Sequence, residues 1–230
     1  RYFNGFVRRF VQTRKVGRLS HYRATLVPWL WFLTRTSDCR IFQNKPVPEI
    51  VKEVCREHGI SDIEERLSRS YRDWEYCVQY RETDFNFISR LMEQEGIYYF
   101  FTHENGKHTL VLCDSPTAHE PFPGYEQISF RPEAAGSSDI EHIRDWVVEK
   151  RVQPGSFVLN DFDFKNPRKS LLAQARIKRD HLASDFEMYD FPGEYTDFSD
   201  GEQYARLRIE ELHARHQVCL LYTSDAADEL

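Results

Sequence analysis

The sequence predicts an α+β fold of antiparallel, β-barrel-like domains with inserted helices, and three observations lead there. Residues 1–12 and 19–27 each alternate apolar and polar side chains, the period of a half-buried strand. Two other stretches, opening at Val47-Pro48 and Thr83-Asp84, repeat apolar residues at helical spacing, and each lies between strand-like segments. Asn105-Gly106 sits between bulky apolar runs and is a strong hairpin signal.

Taken in order, residues 13–18, with Gly17, form the turn between the first two strands, giving an antiparallel pair. The chain opens mid-pattern. Trp29-Leu30-Trp31-Phe32-Leu33 is the most apolar run; it is far too short to cross a bilayer and is assigned to the core. Pro48 suits the first helical turn, where its missing amide costs nothing. Ile50, Val51, Val54 and Cys55 then make one apolar face, and Gly59 ends the helix. Residues 61–73 are charged and poorly periodic, and read as surface loop.

Residues 76–80 alternate as a strand. Thr83 can cap the next helix through its hydroxyl, and Asp84 sits where the helix dipole favours negative charge. Phe85, Ile88, Leu91 and Met92 share a face, and Gly96 can take the left-handed conformation that stops the helix. A type I′ turn at Asn105-Gly106 pairs Glu104 with Lys107, His103 with His108, Thr102 with Thr109 and Phe101 with Leu110. Both faces of residues 97–101 are apolar, so each side needs a cover. Residues 47–115 thus form a helix-strand-helix-hairpin region.

Residues 114–124 hold three prolines and read as a linker. Strands are expected at 125–130, 140–152, 156–164 and 186–189, with a loop at 132–139 and a brief helix from Asn166-Pro167 through Ala175. Asp200 caps a final helix reaching about His216, with Ala205, Ile209 and Leu212 on one side. Residues 116–217 form the second barrel region with its terminal helix. Residues 218–230 look like translated adapter sequence and are set apart as a non-native tail.

Composition narrows the function. Hydrophobic residues are 40% and charged residues 30%, an ordinary globular balance, and no apolar run is long enough for a membrane segment. The net charge of −6, with signs interspersed, argues against a nucleic-acid partner. Arg8, Arg9, Arg14 and Lys15 form the one basic cluster and read as a solvated strand face around a turn. Cys39, Cys55, Cys77, Cys113 and Cys219 lack C-x-x-C spacing and fit reduced, mostly buried thiols. The 17 Phe, 12 Tyr and 4 Trp suit core packing first and a subunit interface second.

Candidate chemistry is sparse. His103 and His108 face each other across the hairpin, but no third metal ligand stands at suitable spacing. Glu210, His213 and His216 share one helix face, a partial echo of carboxylate-bridged metal sites, which need several helices. Asp161 with Asp163, or Glu93 with Glu95, could serve as a glycosidase pair, yet polar strand faces have this spacing by default. No nucleophile elbow, zincin motif or phosphate loop is present. No catalytic, cofactor-binding or metal residue is assigned, and no cofactor is expected.

The ordered motifs resemble the VgrG family, spike proteins of type VI secretion that share a hub region with contractile phage tails. Tyr80-Arg81-Glu82-Thr83-Asp84-Phe85 and Glu93-Gln94-Glu95-Gly96-Ile97-Tyr98-Tyr99-Phe100 carry the resemblance. Trp29-Leu30-Trp31, Cys39-Arg40-Ile41-Phe42-Gln43, Val47-Pro48-Glu49-Ile50-Val51 and Tyr189-Asp190-Phe191-Pro192-Gly193 extend it. The resemblance implies a phage tail hub fold with two related small barrels per subunit, residues 1–46 being part of the first barrel, whose opening strand lies upstream. It also implies a homotrimeric ring that joins the tube protein and baseplate to a needle and helps deliver effector or tip proteins. Assembly would be cytoplasmic, followed by export through the contractile apparatus, with no enzyme activity in this region. A tail-type cell-wall hydrolase and a barrel-type binding module are the alternatives.

Overall fold

The computed structural model describes residues 2–131 and 141–223. They divide into two compact units, Arg1–His119 and Glu120–Leu230, each with its own apolar core.

In the first unit, β1 (Phe6–Val16) and β2 (Leu19–Val27) pair antiparallel over their whole length. The pairing continues to Val16↔Leu19, so the turn is two residues, Gly17-Arg18, and not the longer stretch from residue 13. Gly17, at φ +62°, makes that tight reversal possible. A 3₁₀ helix, Trp29–Arg35, buries Trp29, Leu30 and Leu33, placing the apolar run in the core as expected. The strand β3 (Ser37–Phe42) leads to α1 (Val47–Glu57), which buries Ile50, Val51, Val54 and Cys55 and is followed by Gly59 at φ +73°.

The charged stretch read as loop contains β4 (Ile63–Arg66). With one apolar residue in four it has no periodicity of its own, and its pairing comes from a distant strand. After β5 (Cys77–Thr83), antiparallel to β3, comes α2 (Asp84–Glu95). The Thr83 hydroxyl accepts from the Asn86 amide at 3.1 Å, and Gly96 takes φ +68°. Phe87, Ile88, Leu91 and Met92 are buried against α1 and the 3₁₀ helix; each such side chain contributes about 1.5–3 kcal/mol of burial. Then β6 (Tyr98–Glu104) and β7 (Lys107–Cys113) pair in the expected register, from Phe101↔Leu110 to Glu104↔Lys107.

The turn itself differs from the expected type I′. Gly106 has φ +80° while Asn105 is not in the positive-φ region, so one glycine alone absorbs the strain. β7 is the centre of a three-stranded sheet, with β6 antiparallel on one side and β4 parallel on the other. Its inner face joins the core through Leu110 and Leu112, with Tyr99 and Phe101 packed against it. On the outer face His119 covers Tyr98 and Phe100, at ring distances of 5.6 and 4.8 Å.

In the second unit β8 (Ile143–Lys150) and β9 (Ser156–Leu159) are shorter than expected. Residues 125–130 form no strand, only a bridge from Phe130 to Ile143, and the loop expected at 132–139 lies outside the described residues. The helix expected through Ala175 is instead a turn followed by β10 (Ala173–Arg176), which pairs antiparallel to β9. Pairing with β9 overrides the helix-compatible local sequence there. β11 (Glu187–Asp190) lies parallel to β9 on its other side.

The cap of helix α3 (Phe198–Ala214) lies three residues before the expected one: Asp197 holds the N-cap position and Asp200 lies in the first turn. Ala205 and Ile209 face the sheet as expected, and α3 packs on β9 and β10. β12 (Gln217–Thr223) pairs antiparallel with β8, so the beginning of the stretch set apart as foreign takes part in the fold. Among the described residues the class is α+β, in five sheets of two or three strands, none closed on itself. No helix among them is long and apolar enough to cross a membrane.

Tyr195 is the keystone of the second core. Its hydroxyl lies 2.6 Å from the Leu171 carbonyl and 3.0 Å from that of Leu159, joining the approach to β10 with the end of β9. A Cβ at Gly201 would lie 2.3 Å from its ring. In an exposed helix Gly→Ala stabilises by about 1 kcal/mol. Here Gly201→Ala should instead destabilise by about 1–3 kcal/mol through overpacking, read as a lower urea midpoint. Tyr195→Phe should cost about 1–2 kcal/mol by orphaning a buried carbonyl.

Candidate functional site

The densest polar site lies where β3, α1, β5 and α2 meet. Asp84, at the start of α2, is 3% exposed. Its Oδ1 accepts from Arg40 Nη2 at 2.7 Å and from Gln79 Nε2 at 2.8 Å. Its Oδ2 accepts from Thr36 Oγ1 and from His58 Nε2, both at 2.7 Å. The Asp84 amide also donates to the Thr36 carbonyl at 3.1 Å. Arg40 reaches Gln79 Oε1 at 2.9 Å and pairs with Glu57.

Burial alone would raise the Asp84 pKa, but the bonds from Gln79, Thr36 and His58, with the Arg40 charge, outweigh it and hold it below its ordinary value. Four donors occupy the two oxygens, which leaves little capacity to take a proton from a substrate. Nearby, burial and then the Asp84 charge push the Cys55 thiol up to about 12, far from a nucleophilic thiolate.

The two hairpin histidines are brought together as expected, with ring centroids 5.9 Å apart. Asn4 joins them: its amide donates to His103 Nδ1 at 3.1 Å, and its Oδ1 accepts from His108 Nδ1 at 2.6 Å. The remaining His108 nitrogen, Nε2, accepts from the Trp29 amide at 2.9 Å. Both His108 nitrogens are therefore engaged in tying the chain's start to the hairpin. Burial first, and His103 second, lower the His108 pKa.

Asp114, at the end of β7, organises the segment after β4. It accepts from the amides of Ser68 and Arg69 and from the Tyr71 hydroxyl, and these bonds lower its pKa although burial would raise it. The paired acids Glu93 and Glu95 point apart: Glu93 is exposed, while buried Glu95 accepts from Trp74 Nε1 at 3.3 Å and pairs with Arg69.

Asp161 and Asp163 lie beyond the end of β9, so they do not share a strand face. Asp161 Oδ2 accepts from the amides of Glu194 and Tyr195, at 2.6 and 3.3 Å. Asp163 binds the amides of Lys165 and Asn166 and the Asn166 side chain, and those bonds, the side chain's first, lower its pKa. Each acid caps a different turn.

Glu210 is exposed on α3, and the helix ends before His216. His213 Nε2 donates to the Pro154 carbonyl at 2.9 Å, while its Nδ1 accepts from Arg179 Nε at 3.3 Å. His216 Nδ1 donates to the Arg151 carbonyl at 2.8 Å, its ring 5.9 Å from that of His213. Among the described residues no three His, Cys, Asp or Glu side chains are placed to hold a metal ion. A shallow groove of about 530 Å³ runs along α2 past Phe85, Ser89, Met92 and Tyr98, with a largely apolar lining.

Sequence reasoning placed Asp84 by helix dipole alone and missed its partners. One signal was available: Gln79 shares strand parity with buried Cys77, and a polar residue on an inward parity implies a buried hydrogen-bond network. Nothing local announces Arg40 or His58, which arrive from 44 and 26 residues away.

Residues 1–228 match the phage tail baseplate hub (GPD) family, and the chain belongs to it. It is 54% identical to the type VI secretion system spike protein VgrG1a of Pseudomonas aeruginosa over 94% of this chain and 34% of that protein. It is 34% identical to the actin cross-linking toxin VgrG1 of Vibrio cholerae over 93% of this chain and 19% of that protein. The chain thus spans about a third or less of these relatives. Among solved structures, it resembles an E. coli type VI secretion component described as similar to the T4 tail proteins gp27 and gp5. That match has TM-score 0.55 and 26% identity, over 66% of this chain and 40% of the other. A tail protein from Neisseria meningitidis, 10% identical, shares the fold at TM-score 0.64 over 94% and 62% of the two chains.

Two substitutions test the ties. Asp84→Asn turns an oxygen that accepts two bonds into a donor facing donors, and should cost about 3–5 kcal/mol in urea unfolding. Because the folded pKa of Asp84 is lowered, the unfolded chain takes up the proton first. Its contribution is present above pH 3.8 and fades as pH falls below that value. His108 is also lowered, so the stability it supports is full above pH 6.5 and declines on acidification below it. His108→Gln, which can still accept and donate, should flatten the slope of the thermal midpoint below pH 6.5; an unchanged slope counts against the assignment.

Proposed function

From membership of the baseplate hub family, we propose that this chain is the hub region of a type VI secretion spike. Three copies would close a ring that joins the tube protein to a needle and helps carry effector or tip proteins. The observation that carries this reading is the 54% identity to a secretion spike protein across 94% of the chain. The site geometry supports it, since the acids and histidines that could suggest catalysis are bonded into turns and element junctions.

In this reading the hub's work is mechanical. Saturated buried carboxylates and two packed cores make stiff units that pass the push of contraction from tube to needle. The open sheets become parts of two small barrels, with limits near residues 46, 115 and 217. The hub takes no cofactor and contributes no catalytic or metal-binding residue. Where a relative is a toxin, the chemistry belongs to the part of that protein which this chain does not span. The assembly forms in the cytoplasm with the baseplate proteins and leaves through the contractile apparatus.

Light scattering coupled to size exclusion on the intact spike protein should give a particle of three chains. A stable monomer would overturn the reading.

A further inference from the structure

The β1–β2 hairpin is fastened to the first unit at both of its roots, and each fastening ends on an imidazole. Asn4 stands just before β1, and its backbone amide donates to His103 Nδ1 at 3.1 Å. Trp29 stands just after β2, and its amide donates to His108 Nε2 at 2.9 Å. The two rings are cross-strand partners on β6 and β7, with centroids 5.9 Å apart. Asn4 also reaches the second ring, its Oδ1 accepting from His108 Nδ1 at 2.6 Å.

Little else binds the hairpin to the body. Among the described residues, the first unit's apolar core takes in no side chain from residues 2–28. What remains is a set of ring contacts at the root: Phe6 on Phe32 and His108, Phe3 on His103, and Arg8 over Trp31. Such contacts are worth about 0.5–1.5 kcal/mol each.

A backbone N–H can only donate, so each tie requires a ring nitrogen that carries a lone pair. A proton on His103 Nδ1 or on His108 Nε2 sets two N–H groups against one another, and the bond is lost. The bond from His108 to the Asn4 side chain differs, because Nδ1 is already the donor and a charged ring keeps it. Protonating both rings therefore undoes the two backbone ties, sets like charges side by side and leaves one side-chain tether.

The other groups around His108 do not reverse this. Asp62, just before β4, favours the charged ring, but it is paired with Lys107 at 3.1 Å. Phe6, Phe101 and Trp29 face His108 with uncharged rings. Burial first and His103 second disfavour the charge, and they hold the His108 pKa below its ordinary value. The closed joint thus binds this proton less readily than the open one. Opening is favoured as pH falls below 6.5, and above that value the joint holds.

We propose that His103 and His108 form an acid-released joint: neutral rings pin the roots of the β1–β2 hairpin, and protonated rings let it pivot while the body stays folded. The orientation of the hairpin then depends on the acidity of its surroundings. The inference rests on bonds within this chain and not on the spike-hub reading.

The test is hydrogen–deuterium exchange of the intact protein at about pH 7.5 and about pH 5.5, either side of the ordinary imidazole range. Rates are corrected for the intrinsic pH dependence of exchange, so that they report local opening. Peptides carrying the Asn4 and Trp29 amides should lose protection several-fold at the lower pH; about tenfold is the ceiling that one imidazole can supply there. Peptides from α1 and α2 should keep theirs. His103→Asn sets an acceptor oxygen near the place of Nδ1, and His108→Gln sets one near Nε2; neither can take up a proton. The double variant should show the same root protection at both pH values, whatever its level. Root protection that does not change with pH in the native chain overturns the proposal. So does protection lost from roots and helices together, which is acid unfolding and no joint. A root response that survives in the double variant also overturns it, by placing the proton elsewhere.

Discussion

A buried carboxylate must be matched by donors or it will not stay charged. At Asp84 the match is complete, and it constrains the first unit. Four donors from four positions along the chain converge on two oxygens less than one helical turn from the start of α2. Satisfying them sets where β3 ends its connection from the 3₁₀ helix, how far α1 runs, and how β5 enters α2. Apolar packing between α1 and α2 tolerates small sliding; a four-bonded carboxylate does not. The packing supplies most of the stability, while the carboxylate selects one arrangement of the packed pieces.

The same device recurs with less burial. Asp114 holds the segment after β4, Asp161 holds the approach to Tyr195, and Asp163 closes the turn before β10. Each acid accepts from backbone amides of irregular segments, which sheets and helices leave unpaired. Much of this chain is such connection, since its sheets have only two or three strands. Acidic side chains thus rigidify what the strands cannot reach. That use competes with chemistry, because a carboxylate filled by backbone donors has little room for a substrate's proton.

What could be read from the sequence follows from how far each signal reaches. Helix α2 was legible to its ends because Thr83 and Gly96 act within a few residues of themselves. The hairpin register was legible because a two-residue loop forces it, even though the turn places positive φ at Gly106 alone. β4 and β10 were illegible for the opposite reason: Ile63–Arg66 pairs with β7, 47 positions on, and Ala173–Arg176 pairs with β9 across a turn. The cap of α3 was misplaced because two aspartates three apart both suit a helix start, and only backbone geometry chose Asp197. Of the site, the histidine pair was visible from the hairpin, whereas Arg40 and His58 came from other elements with no local mark.

The two histidine groups show why proximity alone is a poor guide to function. His103 and His108, and His213 and His216, both lie with rings 5.9 Å apart, near enough to suggest a shared ligand. A ligand needs a free nitrogen on each ring aimed at one point. His108 has its nitrogens committed to Asn4 and Trp29, and His213 to Pro154 and Arg179. In each pair one ring, His108 or His213, spans two chain segments, and spanning consumes both of its nitrogens. Residues that would make chemistry in an open cleft here make junctions, which moves whatever this chain recognises to its outer apolar and charged faces.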